Sequence, residues 1–267
     1  FDAGRGGFDA VIANPPWEML RGDLGTGDER AAQRDDLGPL LRFVRHSGLY
    51  RGAGGHVNSY QLFLERMLQL IRPGGRIGCL LPGGVLIDHG AAALRRHLLD
   101  HAAVDRITVF DNREALFPIH RSLRIVSITG TSGASTDGVL VDEGTTARVT
   151  GPDGRPAAPR LLSRALLRQG SGEAEAIPFV RHADDLHLLQ HLLVHPTLGG
   201  DAWQLRFGRE LNATEDREAW RSGPRPSGGL PVVDGKHVQA FDVRPPSTGA
   251  WMSPDDAARA LPGEPWR

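Results

Sequence analysis

The sequence predicts an α/β fold built on a largely parallel sheet, and three observations lead there. Ala10–Ala13, Arg76–Leu81 and Val104–Phe110 are short apolar runs with the length and density of buried strands. Between them lie segments with helical apolar spacing: Leu62, Phe63, Met67, Leu70 and Ile71, then Leu94, Leu98 and Leu99. Each run closes on turn residues, so the chain alternates strand, helix, strand, helix, strand, the order that makes parallel crossovers.

The first strand stops at Asn14-Pro15-Pro16-Trp17. Proline has no amide hydrogen, so Pro15 and Pro16 cannot continue a sheet ladder and the chain must leave the sheet here. Their carbonyls are then free at a strand's C-terminal end, which is where open α/β sheets place ligands. Beside them stand an amide side chain and an indole. The set suits a flat group carrying an exocyclic amine: Asn14 Oδ1 and the Pro15 carbonyl accept the amine hydrogens, and Trp17 stacks on the ring. The same tetrapeptide is also an ordinary way to end a strand with a turn.

After Trp17 a polar, glycine-rich stretch runs to about Gly55, with a short apolar patch near Leu40–Val44. Such a length after a strand end reads as a functional loop or lid. Asn58 or Ser59 caps the first helix, and Arg72-Pro73-Gly74-Gly75 stops it. The second strand closes at Pro82-Gly83-Gly84, and Asp88 caps the next helix, with Arg95 and Arg96 on its wet face. Ser122–Thr129 reads as a fourth strand and Gly138–Val141 as the start of a fifth. The stretch between Phe110 and Ser122 is too short for a crossover helix, so the third and fourth strands should pair antiparallel.

Residues 151–176 are rich in Pro, Gly, Arg and Ser and read as a connector with a short helix near Leu161–Leu167. Asp184–His195 is a helix ended by Pro196. From Trp203 the pattern turns to Trp, Arg, Gly and Pro, the start of a second domain. His187, His191 and His195 recur at four-residue spacing after His182, with Asp184 and Asp185 nearby, and helical histidine pairs can chelate a metal. Leu188, Leu189, Leu192 and Leu193 form the apolar stripe, however, and the histidines are its polar flank. No metal site is expected.

The composition excludes several classes. The chain has 267 residues and a formal charge of −1, so no global basic field advertises nucleic acid, and a DNA role needs local arginine clusters. Lys236 is the only lysine, and Cys79 the only cysteine, inside an apolar strand. That leaves no disulfide framework and points to a reducing, cytoplasmic setting. No apolar stretch approaches a membrane span, and no targeting segment is visible. Gly74-Gly75 and Gly83-Gly84 match neither a dinucleotide fingerprint nor a P-loop.

Phe117-Pro118 falls in the connection between the third and fourth strands, beside a basic cluster of Arg113, His120, Arg121 and Arg124. Phe117 either plugs the sheet's end or supplies a second aromatic face for a base held against Trp17. The cluster either binds backbone phosphates or is a solvated hairpin end.

At the Asn14–Trp17 corner the chain resembles the amino-group (adenine-specific) DNA methyltransferases that use S-adenosylmethionine. Further segments are similar to one branch, the large single-chain enzymes of type IIG, Eco57I-like restriction-modification and related phage-defence systems. They are Pro73–Gly78 with Leu81-Pro82, Phe110–Arg113 running to Phe117–His120, Arg209–Thr214, Leu230–Lys236, and Phe241-Asp242. The resemblance implies a Rossmann-like class I methyltransferase sheet, represented by its C-terminal half and ending in an antiparallel hairpin. Residues 1–150 would be that half of the catalytic domain, 151–200 a helical connector, and 201–267 the start of a DNA target-recognition domain.

It further implies methyl transfer to the exocyclic amine of a flipped adenine in double-stranded DNA, with a nuclease attached or associated. Asn14, Pro15, Pro16 and Trp17 would be catalytic, with Trp17 and Phe117 stacking on the base. The family's glycine-rich cofactor turn and ribose-holding acidic residue have no match here. The S-adenosylmethionine-binding residues are therefore expected upstream of Phe1, with weak cofactor binding by this chain alone. Two alternatives stay open on the residues: a methyltransferase acting on a protein glutamine or an RNA base, and a non-catalytic DNA-specificity fragment.

Overall fold

The computed structural model describes residues 6–20, 27–51, 57–143, 158–180, 183–198, 200, 202–203, 211–212, 216–239, 241–244 and 248–261. The chain divides into two compact units, Phe1–Thr197 and Leu198–Arg267.

The first unit is built on a six-stranded mixed sheet. Its strands are β1 (Phe8–Ala13), β2 (Ile71–Pro82), β3 (Ala102–Asp111), β4 (Arg124–Ser132), β5 (Gly138–Glu143) and β6 (Arg160–Ser163), in the spatial order β1-β2-β4-β3-β5-β6. β1 runs parallel to β2, and β3 parallel to β5; β4 is antiparallel to both of its neighbours, β2 and β3. The expected antiparallel pairing of β3 with β4 is present, with Asp111 opposite Arg124. The hairpin folds so that β4 fills the slot between β2 and β3. Its sequence suits that central place, because Ile125, Val126 and Ile128 are all buried.

The helices are α1 (Gly27–His46), α2 (Ser59–Leu70), α3 (Gly84–Ile87), α4 (Ala92–His101), α5 (Arg164–Ser171) and α6 (Ala183–Leu192). α1 corrects the reading of that region as a loop. Gly38 and Pro39 interrupt its pattern, and its apolar contribution is confined to the end, where Val44 packs with Val57 and Leu62 in a small cluster of its own. Two further corrections concern apolar faces. In α2 the buried stripe includes Tyr60, Leu64 and Met67, while Phe63 is exposed. Leu189 of α6 and Leu193 just after it line a small apolar pocket with Leu166 and Leu167, whereas Leu188 and Leu192 face solvent.

Arg95 is the largest departure. It is 1% exposed rather than on a wet face. Its guanidinium donates to the carbonyls of Val85, Asp88 and Ala174, joining α3, α4 and the turn after α5. Burial pushes its pKa down, with Asp88 nearby opposing the shift. Cys79 lies in the core on β2, and burial pushes its thiol up to about 12.

The connector region is more ordered than its composition announces: β6 extends the sheet and α5 follows it, capped by Ser163. Among the described residues no helix is long and apolar enough to cross a membrane. The second unit holds a three-stranded antiparallel sheet, β7 (Arg221–Pro224), β8 (Leu230–Pro231) and β11 (Thr248–Met252), with β11 in the middle. A short ribbon, β9 (Val238–Gln239) with β10 (Asp242–Val243), and the helix α7 (Pro254–Ala260) complete it. Residues 209–210 and 213–214 of the segments noted above lie outside the described residues, as does His182.

Candidate active site

The sheet register determines which termini share an end. Ala13 at the end of β1 sits beside Cys79, and Pro82 at the end of β2 sits opposite Ile125 near the start of β4. The C-terminal ends of β1, β2 and β3 therefore lie at one edge of the sheet, together with the β3–β4 connection. Asn14 and the loop carrying Phe117 are at that same end. β1 and β4 are two strand spacings apart, roughly 10 Å.

The Asn14–Trp17 corner leaves β1 as the prolines require. Asn14 is exposed, and among the described residues its side-chain amide has no hydrogen-bond partner. Pro15 is buried and Pro16 exposed. Trp17 is half-buried and packs against the main core, with its indole N–H turned inward and meeting no acceptor among the described residues. The next residues pin the corner down. Ser59 N donates to Glu18 O at 2.8 Å and Leu20 N to Val57 O at 2.8 Å, so the chain after Trp17 runs antiparallel to the entry of α2. The site's backbone is thereby fixed on both sides, by β2 before the prolines and by α2 after them.

Phe117 is half-buried and meets Phe110 edge-on, with centroids 6.3 Å apart at 75°. Such T-shaped contact holds a ring in a defined plane. Of the basic cluster, Arg113, His120 and Arg121 are exposed. Arg113 is paired with its neighbour Asp111 at 3.4 Å, and His120 Nδ1 lies 2.7 Å from Ser122 Oγ. Arg124 is differently placed: its guanidinium lies 4.4 Å over the ring of Phe179, in cation–π contact. Gly83 N donates to Arg124 O at 2.7 Å, which ties the turn after β2 to the start of β4.

One feature of the loop escaped the sequence reading. Asn112, fully buried directly after β3, spends its amide on the backbone around Phe117. Its position next to Asp111 and Arg113 carries no periodic signal that separates a buried amide from a turn residue. The histidines of α6 are exposed, and among the described residues no group of His, Cys, Asp and Glu is placed to hold a metal ion.

Residues 1–117 match a family model described as Eco57I restriction-modification methylase. No curated protein matches the chain. Among solved structures the chain is similar to a modification subunit of a putative type I restriction enzyme from Vibrio vulnificus YJ016, at 12% identity over 61% of this chain and 35% of that one, with a TM-score of 0.41. It is also similar to the M protein of the type I restriction enzyme EcoKI, at 14% identity over 74% of this chain and 52% of that one, TM-score 0.44. A third is a putative class I S-adenosylmethionine-dependent methyltransferase from Listeria monocytogenes, at 18% identity over 55% and 39%, TM-score 0.37. The chain thus spans about a third to a half of the length of these proteins. The segment of this chain that is similar to the Eco57I restriction-modification methylase family, residues 1–117, carries the Asn14–Trp17 corner and reaches Phe117.

Proposed function

We infer that this chain carries the acceptor side of a DNA methyltransferase of a restriction-modification system, acting on the exocyclic amine of adenine. The observation that supports it most is the Asn14–Trp17 corner: an exposed amide and a half-buried indole at a sheet's C-terminal end, inside the segment that matches the family model.

The donor of this family, S-adenosylmethionine, supplies an electrophilic methyl group when bound. The described residues fit only the acceptor half of such a site. β1 is the sheet's terminal strand and Ile12 on it is 86% exposed, which leaves open apolar surface beside the corner. Among the described residues neither a glycine-rich turn nor a ribose-binding carboxylate faces that surface. No step is therefore routed through the cofactor.

What the chain's own residues do follows from their chemistry. Adenine's amine is a poor nucleophile because its lone pair is delocalised into the ring. Acceptors at Asn14 Oδ1 and the Pro15 carbonyl favour a pyramidal amine and stabilise the positive charge that develops on it. Trp17, with Phe117 on the other side, fixes the ring for in-line attack. No strong general base is needed beforehand, since the proton leaves an already acidified nitrogen. In duplex DNA the base must leave the stack to reach this corner. Arg113, His120 and Arg121, exposed beside the loop, are placed to meet backbone phosphates. Arg124, stacked on Phe179, supports the loop's base instead.

The test is to express the open reading frame containing this chain in a bacterial host free of DNA methylation, then sequence that DNA for modified bases. N6-methyladenine within one recurring sequence is expected, and its loss with Asn14→Ala. Modification confined to cytosine, or full activity in Asn14→Ala, overturns the reading.

A further inference from the structure

We propose that Asn112 is a positioning residue for Phe117, setting the plane of the second aromatic face of the site; this rests on the methyltransferase reading above. Asn112 is 0% exposed. Its Oδ1 accepts the Phe117 amide hydrogen at 2.8 Å. Its Nδ2 donates to the carbonyls of Phe117 at 3.2 Å, Ile119 at 3.2 Å and His120 at 3.3 Å. An amide carries two N–H groups, so these three carbonyls share them. Its own carbonyl accepts from Ala115 N at 2.9 Å, at a point where Ala115 adopts φ +56°. A single side chain thus meets both polar backbone atoms of Phe117 and the carbonyls of Ile119 and His120.

Among the described residues the loop adds one further backbone restraint on Phe117, a turn bond from Ile119 N to Phe117 O at 2.8 Å, and none on its N–H. Residues 112–123 contain no helix or strand, and Leu116 and Pro118 on either side are exposed. The ring's one described aromatic contact is the edge-on meeting with Phe110 at the end of β3. The backbone of Phe117 is therefore anchored through Asn112 to the last residue pair of β3 and β4, and through them to the sheet end that bears Asn14. Only an amide of this length accepts and donates at once. Aspartate keeps the acceptor for Phe117 N but places a carboxylate against three carbonyls, and leucine removes the partner of Phe117 N and of the Ile119 carbonyl, leaving Phe117 O and His120 O only their turn bonds from Ile119 N and Leu123 N.

The experiment uses the full chain and a single-stranded oligodeoxynucleotide with one central 2-aminopurine, whose fluorescence falls when it stacks. Asn112→Asp and Phe117→Ala should each weaken quenching by about ten-fold, as expected for loss of a few buried hydrogen bonds or one stacking face. Because Asn112 acts through Phe117, the double variant should be no weaker than either single one. Effects that multiply toward a hundred-fold loss, or Asn112→Asp binding like wild type while Phe117→Ala is weakened, overturn this proposal alone. A wild-type chain that leaves the probe unquenched overturns the methyltransferase reading and the proposal with it. Amide hydrogen exchange of the wild-type chain is the second measurement, independent of whether Asn112→Asp folds. Phe117 N–H should be protected well beyond its neighbours Leu116 and Arg121, and exchange at their rate overturns the anchor.

Discussion

Asn14, just after β1, and Arg95, within α4, are polar residues with opposite surroundings, and the difference decides what each contributes. Asn14 is exposed and its amide meets no partner among the described residues, so removing it costs the fold little, within about 0.5 kcal/mol for a surface site. Asn14→Ala should leave the denaturation midpoint unchanged while abolishing methyl transfer; a large shift in the midpoint would mean that the residue is structural. Arg95 is the converse. It is enclosed by the carbonyls of Val85, Asp88 and Ala174; Asp88 O also accepts from Ala91 N, whereas among the described residues Val85 O and Ala174 O meet no other donor. Arg95→Leu keeps much of the volume and orphans the Val85 and Ala174 carbonyls, at a cost of about 3 kcal/mol. Urea denaturation monitored by far-UV circular dichroism checks it, and a change below about 1 kcal/mol would show that water replaces the guanidinium.

At the scale of elements, the turn after α5 is held by an ionic knot. Glu175, almost wholly buried and at φ +42°, accepts from Arg164 at 3.0 Å and from Arg168, and Arg164 also pairs with Asp100 on α4. Burial alone would raise the Glu175 pKa, but the hydrogen bonds from Arg164 and Arg168 outweigh it and hold the carboxyl below its ordinary 4.5. Asp100 is held low as well, by its hydrogen bond from Arg164. A depressed carboxyl pKa contributes stability that is full above the unfolded value and lost as pH falls through the folded one. Stability should therefore drop as pH falls below about 4.5, and Glu175→Gln should flatten that slope while lowering stability at neutral pH. An unchanged slope between about pH 5 and pH 3 would remove the knot from the account. The β2–β4 junction gives a second test. A Cβ at Gly83 would meet Arg124 Cβ at 2.9 Å and Arg124 O at 3.1 Å, so Gly83→Ala should cost about 1–3 kcal/mol by overpacking, read from the thermal midpoint.

These elements also show where sequence reading works and where it stops. β1 to β5, α2 and α4 were legible because each carries a dense apolar run or a helical stripe closed by Pro, Gly or Asx punctuation. The placement of β4 between β2 and β3 was not, since a hairpin's own pattern says which strand it pairs with next in sequence and nothing about its other edge. α1 was hidden by Gly38 and Pro39 and by a face that buries little beyond Val44. At the site, Asn14, the prolines and Trp17 announce themselves through breaker residues at a strand end. Asn112, Arg95 and Glu175 do not, because their partners are brought in by turns and packing rather than by a helical or strand period, and no periodic pattern records them.

For the whole molecule, the main core among the described residues is drawn from residues up to Leu186, all of them in the first unit. Met252 and Ala257 are buried within the second unit itself. This separation predicts that a chain of residues 1–197 unfolds cooperatively by itself. Trp17 makes the prediction sharp, because the other four tryptophans, Trp203, Trp220, Trp251 and Trp266, all fall after Thr197. In the shortened chain, indole emission comes from the candidate site alone. Trp17 is half-buried and packs on the sheet's core, so its emission should shift to the red in the same denaturant range where the sheet signal in circular dichroism is lost. Coincident transitions would make the site part of the first unit's cooperative core. A Trp17 transition at clearly lower denaturant would place the Asn14–Trp17 corner in a region that opens before the sheet does. The Glu18–Ser59 and Leu20–Val57 ladder argues for coincidence, since it ties the residues after the corner to α2 and thereby to the core that must open with it.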